Sequence, residues 1–422
     1  MMPHSGIYLH IPFCRSRCSY CDFATGMFED ALAGRYVNAL VSEITEWSMV
    51  DSPTAVDTIY FGGGTPSLLN PPQIERILNA VRERFEVIDG AEVTLEINPA
   101  SMVSAPPPRS LRLSGEILLT NTHRRDAENA EVAQRKDNPE ERPELSSQKL
   151  QDFRSLGINR ASFGAQTFDD HELKQLGRTH SAADIPTTFQ QLREAGFANI
   201  SFDLIAGLPN QTLPGWQRNL DHALALQPDH LSLYLLDVHE GTPLADQIHR
   251  GMRPQPDEDL AGEMYELMIE KVCAAGYDHY EISNFSLPGF ASRHNTKYWV
   301  GAPYYGFGCS AHSYDGGRRR WANERDIANY LRLIEGKESP VVERTELNEE
   351  QARSESIFLG LRLMHGLDLG DYRMRFGSDL HEEYSAELAR LRDAGLIEID
   401  AARMRLTRRG ALLSNEVFAA LA

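Results

Sequence analysis

Three cysteines near the start of the chain carry the most distinctive chemistry in the sequence. Cys14, Cys18 and Cys21 follow a short apolar run that predicts a strand, so one loop can present all three thiolates. Thiolates at C-x3-C-x2-C spacing suit soft metals and iron–sulfur clusters. A structural zinc ion is closed by four ligands, whereas a [4Fe-4S] cluster on three cysteines keeps one iron open. The spacing therefore predicts a [4Fe-4S] cluster.

Two other roles for these cysteines are less well supported, because the number of cysteines does not match what each role needs. A zinc ion would need His10 or Asp22 as its fourth ligand and would make the region a structural knuckle. A disulfide would leave one of the three cysteines unpaired. Iron and sulfide, rather than zinc, in anaerobically purified protein would distinguish the cluster from the knuckle.

The composition excludes several classes of partner. The 422 residues carry 42 Lys and Arg against 61 Asp and Glu, a net charge of −19, which disfavours sequence-independent binding to nucleic acid or anionic lipid. The basic cluster 318–320 predicts a solvated loop, with contact to substrate carboxylates as the alternative. The sequence shows neither signal-peptide features nor an apolar run that could span a membrane. We expect a cytoplasmic protein in a reducing compartment, with peripheral membrane association left open.

The loops that carry these residues need a scaffold, and the hydrophobic pattern predicts one. After the strand that precedes Cys14, five more strands are predicted at 55–61, 92–97, 159–166, 199–205 and 231–238. Helices alternate with them at 31–50, 71–85, 148–156, 169–176, 181–196 and 213–226. This order predicts an α/β fold, a partial TIM-like barrel of about six β/α units with its site at the C-terminal ends of the strands.

We assign the barrel to residues 1–290 and divide the rest of the chain according to its hydrophobic periodicity. Within the barrel, 102–144 is rich in Pro, Ser, Arg, Glu and Asn and predicts a disordered surface insertion, with partner docking as the alternative. Residues 291–345 have irregular periodicity and predict a connecting segment. Residues 346–422 predict helices and a small hairpin, a winged-helix-like α+β domain whose acidic surroundings argue against DNA as its ligand.

Six motifs in chain order resemble those of the HemW family, haem chaperones of the radical SAM superfamily that are related to the oxygen-independent coproporphyrinogen III dehydrogenases. They are Tyr-Leu-His-Ile-Pro-Phe-Cys at 8–14, Gly-Gly-Gly-Thr-Pro at 62–66, Leu-Glu-Ile-Asn-Pro at 95–99, Ser-Phe-Gly-Ala-Gln at 162–166, Asp-Leu-Ile-Ala-Gly-Leu-Pro at 203–209 and His-Asn-Thr-Lys-Tyr-Trp at 294–299. Several of these motifs are weak alone, but the ordered set is specific. The insertion at 102–144 departs from the family, which has a shorter connection there.

The resemblance implies that Cys14, Cys18 and Cys21 hold the cluster and that its open iron binds S-adenosylmethionine (SAM). In that superfamily, the reduced cluster cleaves SAM to methionine and a 5′-deoxyadenosyl radical. The acids among the matching residues can accept hydrogen bonds from the amino group or ribose of SAM, and the arginine can pair with its carboxylate. The residues that match SAM-contacting positions of the family are Tyr8, Gly63, Gly64, Thr65, Glu96, Gln166, Arg178 and Asp203.

The resemblance favours the chaperone branch over the dehydrogenases. Phe23 stands where the dehydrogenases carry a further cysteine, and the chain begins close to the cluster strand, without their N-terminal extension. His294, Tyr298 and Trp299 are expected to bind haem, His294 as an axial ligand and the two aromatic rings by packing. The implied partners are haem, haem-requiring client proteins and an electron donor for the cluster. Radical decarboxylation of coproporphyrinogen III is the alternative function, and a zinc-stabilised binding module is a third.

Overall fold

The computed structural model describes residues 4–48, 54–99 and 145–421. The predicted insertion at 102–144 lies outside these residues. The strands are β1 (Ser5–Ile11), β2 (Phe13–Cys14), β3 (Gly26–Met27), β4 (Ala55–Gly63), β5 (Glu86–Ile97), β6 (Arg160–Gln166), β7 (Ile200–Ala206), β8 (His230–Leu235), β9 (Asp278–Glu281), β10 (Asn284–Ser286), β11 (Tyr304–Phe307), β12 (His312–Tyr314), β13 (Arg319–Asn323), β14 (Val341–Glu346), β15 (Leu367–Asp368), β16 (Ile397–Ile399) and β17 (Arg403–Leu406).

The helices carry the connections between these strands and most of the C-terminal part. They are α1 (Asp30–Glu46), α2 (Pro71–Arg84), α3 (Ser147–Ser155), α4 (Asp170–Gln175), α5 (Asp184–Glu194), α6 (Leu213–Ala225), α7 (Pro243–His249), α8 (Glu258–Ala274), α9 (Arg293–Trp299), α10 (Ile327–Glu335), α11 (Glu349–Arg362), α12 (Leu369–Phe376), α13 (Leu380–Glu383), α14 (Ser385–Asp393), α15 (Arg408–Leu412) and α16 (Ser414–Leu421). In the part of the chain that the structure describes, no helix is long and apolar enough to cross a bilayer.

Six parallel strands form the centre of the molecule, in the spatial order β1-β4-β5-β6-β7-β8. Each is followed by a helix, and this confirms the predicted α/β fold. Alternate residues along β1, such as Ile7 and Leu9, are fully buried in the hydrophobic core. The residues between them are polar, and many of their equivalents on β5 to β8 line the concave face. The period-2 alternation therefore separates a helix-covered apolar face from a polar inner face.

The described strands continue beyond this parallel core on both sides. The full sheet has the order β14-β13-β12-β11-β1-β4-β5-β6-β7-β8-β10-β9, so it is open, with β14 and β9 at its edges. Strand β11 lies parallel to β1, with Gly6 opposite Tyr304 and Leu9 opposite Phe307. Residues 291–345 thus contribute α9, α10 and four strands, where the sequence predicted irregular structure. The domain limits at 290 and 345 stay predictions.

The basic cluster 318–320 is not a solvated loop. Arg319 and Arg320 belong to β13, and all three guanidinium groups face acids: Arg318 lies 3.8 Å from Glu349, Arg319 2.8 Å from Asp315, and Arg320 2.6 Å from Glu355. Neutralised in this way, the cluster offers little charge for a polyanion.

The C-terminal part combines helices with a small sheet. Strands β16 and β17 form the predicted hairpin, and β15 pairs with the other side of β17. Helix α11 contacts α9 and β15, so it joins this region to the barrel through the segment that contains the His-Asn-Thr-Lys-Tyr-Trp motif.

Candidate functional site

A cleft of about 410 Å³ opens at the C-terminal ends of the parallel strands. The three cysteines of the first loop line it, and so do residues from the turns after β4 and β5 and from β6, β7 and β8. Of the eleven cluster and SAM residues predicted from the sequence, all except Tyr8 line this one cleft: Cys14, Cys18, Cys21, Gly63, Gly64, Thr65, Glu96, Gln166, Arg178 and Asp203.

The cysteine loop is fixed at both ends. Strands β2 and β3 pair in parallel, with Phe13 opposite Gly26 and Cys14 opposite Met27, and this pairing closes the loop. The ring of Phe13 is buried and packs edge-on against Tyr36 at 5.4 Å. The loop is therefore held by backbone pairing and by the core rather than by contacts among the cysteines.

Burial controls the protonation of the thiols. It raises the pKa of Cys14 to about 11 and also raises the pKa of Cys21. The Thr65 hydroxyl lies 3.8 Å from the Cys14 sulfur, and Arg178 Nη1 lies 3.4 Å from the Cys18 sulfur. Binding to iron would have to displace the protons from the half-buried thiols of Cys14 and Cys21, as metal binding to cysteine does.

The donor set fits a [4Fe-4S] cluster better than a zinc ion. Within residues 4–48, 54–99 and 145–421, no three His, Cys, Asp or Glu side chains converge on a point where one metal ion could bind. The alternative zinc ligand His10 is engaged elsewhere: its Nδ1 lies 3.1 Å from the Tyr8 hydroxyl and its Nε2 2.9 Å from the Ala24 carbonyl oxygen. Cysteines that bind a cluster each bind a different iron, so they need not meet at one point.

The glycine turn after β4 lies directly under the cysteine loop. The backbone N–H groups of Gly64 and Thr65 donate to the carbonyl oxygens of Ile11 and Phe13, at 2.8 and 2.7 Å. A Cβ on Gly64 would lie 2.6 Å from the Phe13 carbonyl oxygen, so no other residue fits without moving the loop backbone. Gly63 adopts φ +109°, a conformation that favours glycine.

Two half-buried carboxyl groups face the cleft. Glu96 accepts from the Tyr60 hydroxyl at 2.7 Å and from the Gly63 N–H at 3.2 Å. Burial raises its pKa to about 7, and the nearby Asp203 raises it further. Burial also raises the pKa of Asp203 to about 6, although Ser232 and the charge of Arg160 act in the opposite direction. Both acids are poised to ionise beside a cationic ligand.

Arg178 is one of three arginines that line the cleft, with Arg17 and Arg160. Its Nη2 donates to the Gly164 carbonyl oxygen at 2.7 Å and to Asn98 Oδ1 at 3.2 Å. Its buried Nε has no hydrogen-bond partner among the described residues. A buried N–H of this kind fits an anionic group such as the SAM carboxylate. Gln166, at a bulge in β6, holds φ +66°, a strained value of the kind found at ligand sites.

Comparison with known proteins shows to which family the chain belongs. Residues 8–111 match the model of the radical SAM superfamily, and residues 347–413 match the HemN C-terminal domain. The protein named heme chaperone HemW of Bacillus subtilis is 33% identical over 414 residues, 98% of each chain. The chain belongs to the HemW family. The HemW of Lactococcus lactis is 31% identical, over 97% of this chain and 95% of its own.

A solved structure shares the fold of this HemW family chain. Coproporphyrinogen III oxidase (HemN) from Escherichia coli matches 100% of the chain with a TM-score of 0.77 and covers 90% of its own chain. At 22% sequence identity this likeness shows the fold alone. Together with the two matching family models, it confirms the predicted radical SAM fold with its C-terminal domain.

Tyr8 does not line the cleft of this family member. Its ring stacks on that of Tyr60, with the centroids 6.1 Å apart, and its hydroxyl contacts His10. Tyr60 lines the cleft in its place. The prediction that Tyr8 lies beside SAM stays a prediction.

The structure brings His294 and Tyr298, two of the three residues expected to bind haem, into contact. His294 is buried, with Nδ1 2.9 Å from the Thr58 hydroxyl and Nε2 3.0 Å from the Tyr298 hydroxyl. Burial lowers its pKa to about 3. An axial bond to iron uses one ring nitrogen, so it would displace one of these two partners, and the assignment of His294 as a haem ligand stays a prediction. Trp299 lines a different cavity, next to the C-terminal part.

Several lining residues escaped the sequence analysis. They include Tyr60, Ser162, Ser232 and Tyr234 on the inner face of the parallel strands. Each alternates with buried apolar residues such as Phe61, so period-2 patterning on the predicted strands could have identified them. Asn295, which also lines the cleft, was visible only as part of a motif.

Proposed function

We propose that this chain is a haem chaperone, which binds haem and delivers it to haem-requiring proteins. The observation that carries the proposal is end-to-end similarity. The Bacillus subtilis protein named heme chaperone HemW aligns over 98% of each chain at 33% identity. A match of that extent includes the barrel, the segment 291–345 and the C-terminal part together, so it concerns the whole molecule and not one shared domain.

We further propose that the cleft holds a [4Fe-4S] cluster and SAM. The three cysteines of the loop bind the cluster, and a reduced cluster with SAM supplies the one-electron chemistry of the superfamily. Gly63 and Gly64 give the methionine end access to backbone groups, and Arg178 pairs with the carboxylate of SAM. Glu96 and Asp203 bind the amino group or the ribose hydroxyls.

Coproporphyrinogen III decarboxylation is the second candidate because the fold of HemN from Escherichia coli matches the whole chain. One residue favours the chaperone. Phe23 occupies the position at which the dehydrogenases carry a further cysteine, and its ring is 60% exposed at the rim of the cleft. A phenylalanine cannot replace a thiol as a ligand or as a hydrogen-atom donor.

The partners follow from this function. They are haem, client proteins that require haem, and an electron donor for the cluster. Because thiols persist as cluster ligands only under reducing conditions, the proposal places the protein in the cytoplasm.

An anaerobic haem titration of the cluster-reconstituted protein tests the proposal. The change in the Soret band should saturate at about one haem per chain. In parallel, the protein should not decarboxylate coproporphyrinogen III when supplied with SAM and a low-potential reductant. Decarboxylation without saturable haem binding would replace the chaperone with the dehydrogenase.

A further inference from the structure

We propose that haem binds outside the barrel, in a second cavity between the end of α9 and the C-terminal part, with His365 as its axial ligand. This inference rests on the proposed function. The cavity has a volume of about 700 Å³, and its decisive lining residues are Trp299, Val300, His365, Met374, Arg375 and Arg403. The cleft at the cysteine loop, at about 410 Å³, is smaller and is lined by the residues proposed to bind the cluster and SAM.

The walls of this cavity suit a flat apolar ring system. Trp299, Leu359, Leu363 and Leu367 line it. At its edge two apolar side chains lie open to solvent, Met374 at 79% exposure and Val300 at 52%. Ligand cavities of several hundred Å³ usually combine such apolar walls with a few polar groups, and a porphyrin needs both because it is an apolar disc with two carboxylates.

Two arginines in the lining match the two propionates of haem. Arg375 donates from Nη2 to the Tyr314 hydroxyl at 2.9 Å and otherwise lies at the exposed surface of α12. Arg403 Nη2 lies 3.5 Å from Asp368 Oδ2, a loose and partly exposed pair. Arg403 also contacts His365 Nδ1 at 3.0 Å and the Gly366 carbonyl oxygen at 3.4 Å through Nη1. Among the described residues, neither arginine has a bidentate carboxylate partner, the arrangement in which a planar guanidinium group forms its strongest bonds.

Three acids also line the cavity and have to be accounted for. Glu355 is held by Arg320 at 2.6 Å, and Asp368 has the contact with Arg403. Asp371 is exposed on α12. Glu355 is neutralised by Arg320, and Asp368 shares Arg403, so Arg375 is the lining arginine that carries no acidic partner among these three.

His365 is placed to bind iron. The side chain is exposed and follows α11, and its Nδ1 lies 3.0 Å from the Gly366 carbonyl oxygen. Arg403 Nη1 lies 3.0 Å from the same Nδ1, and because a guanidinium only donates, Nδ1 accepts a hydrogen bond while Arg403 is bound there. Once Arg403 leaves, Nδ1 can donate to the Gly366 oxygen, and the lone pair then lies on Nε2, the tautomer that metal-binding histidines usually adopt. When Arg403 turns to a propionate, the Gly366 oxygen remains the partner of Nδ1.

The location of this cavity gives the His-Asn-Thr-Lys-Tyr-Trp motif a structural role that does not depend on His294 as a ligand. Helix α9 carries Asn295 into the lining of the cluster cleft and Trp299 into the lining of this cavity. Between them, Tyr298 holds the buried His294. One short helix therefore contacts both sites, which places bound haem next to the barrel without requiring it to enter.

The test compares His365→Ala with His381→Ala in the full-length, cluster-reconstituted chain, titrated with ferric haem. His381 is an exposed histidine of the same C-terminal part that does not line the cavity. We expect His365→Ala to lose the histidine-ligated Soret spectrum and to weaken binding about tenfold or more, and His381→Ala to match the unaltered protein. Thermal unfolding and iron content confirm that each variant folds.

The outcomes separate the inference from the function on which it rests. If the unaltered protein binds haem saturably and His365→Ala keeps both its spectrum and its affinity, this site is wrong while the chaperone function stands. If the unaltered protein shows no saturable binding, the proposed function itself fails.

A second comparison tests the propionate contacts. Arg375→Gln should weaken haem binding about tenfold, the cost of one charge-assisted hydrogen bond, but leave the affinity for haem dimethyl ester unchanged. Arg390→Gln, on the exposed surface of α14, serves as the control. Equal losses for haem and for its ester, or no loss for either, would overturn the contact.

Discussion

At the scale of single residues, the cleft holds two acids, Glu96 and Asp203, whose surroundings disfavour their charged forms. Glu96 and Asp203 have pKa values raised to about 7 and about 6 because burial disfavours their charged forms. Each raised pKa represents a cost of ionisation that a cationic ligand can offset. The amino and sulfonium groups of SAM are such cations.

The first prediction concerns the pH dependence of SAM binding. Raising the pH through about 7 ionises Glu96, so the affinity for SAM should rise between about pH 6 and about pH 8. Glu96→Gln cannot ionise and should bind SAM more weakly, with a flatter pH profile. Isothermal titration of SAM into the reconstituted protein measures both. A fall in affinity with pH, or equal slopes for the two proteins, would contradict the assignment.

The second prediction concerns the glycine turn. Gly64→Ala places a Cβ 2.6 Å from the Phe13 carbonyl oxygen, so β2 must shift and carry Cys14 with it. The variant should retain little iron and sulfide after reconstitution. Gly34→Ala, on α1, meets no atom within 4 Å and should keep the cluster and gain about 0.5–1 kcal/mol of stability. Full cluster content in Gly64→Ala would show that the turn does not position the loop.

At the scale of elements, one buried carboxyl group joins three parts of the fold. Glu43 on α1 accepts from Tyr330 of α10 at 2.6 Å, from the Gly308 N–H at 2.8 Å and from Asn323 of β13 at 2.6 Å. Burial raises its pKa to about 7, although these bonds oppose the rise. Gly308 follows β11, so the network fixes the strand that flanks β1.

The third prediction follows from the sign of that shift. The pKa of Glu43 is higher in the folded chain than its ordinary value of 4.5, so the folded chain binds the extra proton. The contribution of Glu43 to the free energy of unfolding is fully present below the pKa that this residue has in the unfolded chain. It is lost as the pH rises toward about 7, at up to about 1.4 kcal/mol per pH unit.

Urea unfolding of the cluster-free chain across that window measures this contribution. Glu43→Gln should show a shallower decline in the free energy of unfolding than the unaltered chain, because glutamine does not titrate. Parallel declines would show that Glu43 ionises as freely in the folded chain as in the unfolded one.

The sequence predicted the parallel strands well because their apolar alternation is local. It missed β11 to β13, which have only three to five residues, and β14, in which five of six residues are exposed. Ten of the eleven residues assigned to the cluster and to SAM line one cleft, because most of them lie in or directly after a predicted strand, and their roles stay predictions. The sequence could not show that His294 contacts Thr58, because the two residues are 236 positions apart in the chain and no local pattern records such a contact.

At the scale of the whole molecule, β1 is a central strand and not an edge. It pairs with β4 on one side and with β11 on the other, although β11 follows it by nearly three hundred residues. The cysteine loop begins at the end of β1, so the cluster site depends on a pairing supplied by 291–345. An unpaired β1 would expose a strand edge prone to aggregation.

The fourth prediction uses two truncations. A chain that ends after residue 290 loses β11 to β14 and should aggregate or lack a cooperative unfolding transition. A chain that ends after residue 346 keeps all four strands and should remain in solution and bind the cluster. Size-exclusion chromatography and iron content distinguish them. Equal behaviour of the two chains would show that 291–345 is a dispensable connector.

Transfer of haem tests the central claim most directly. The chain, loaded anaerobically with about one equivalent of haem, is mixed with an excess of an apo-protein that requires haem, and the Soret band of each protein is followed with time. We predict that the acceptor gains its native Soret spectrum faster than haem dissociates into an acceptor-free scavenger control. Retention of haem by the chain, or transfer no faster than free dissociation, would contradict a chaperone function.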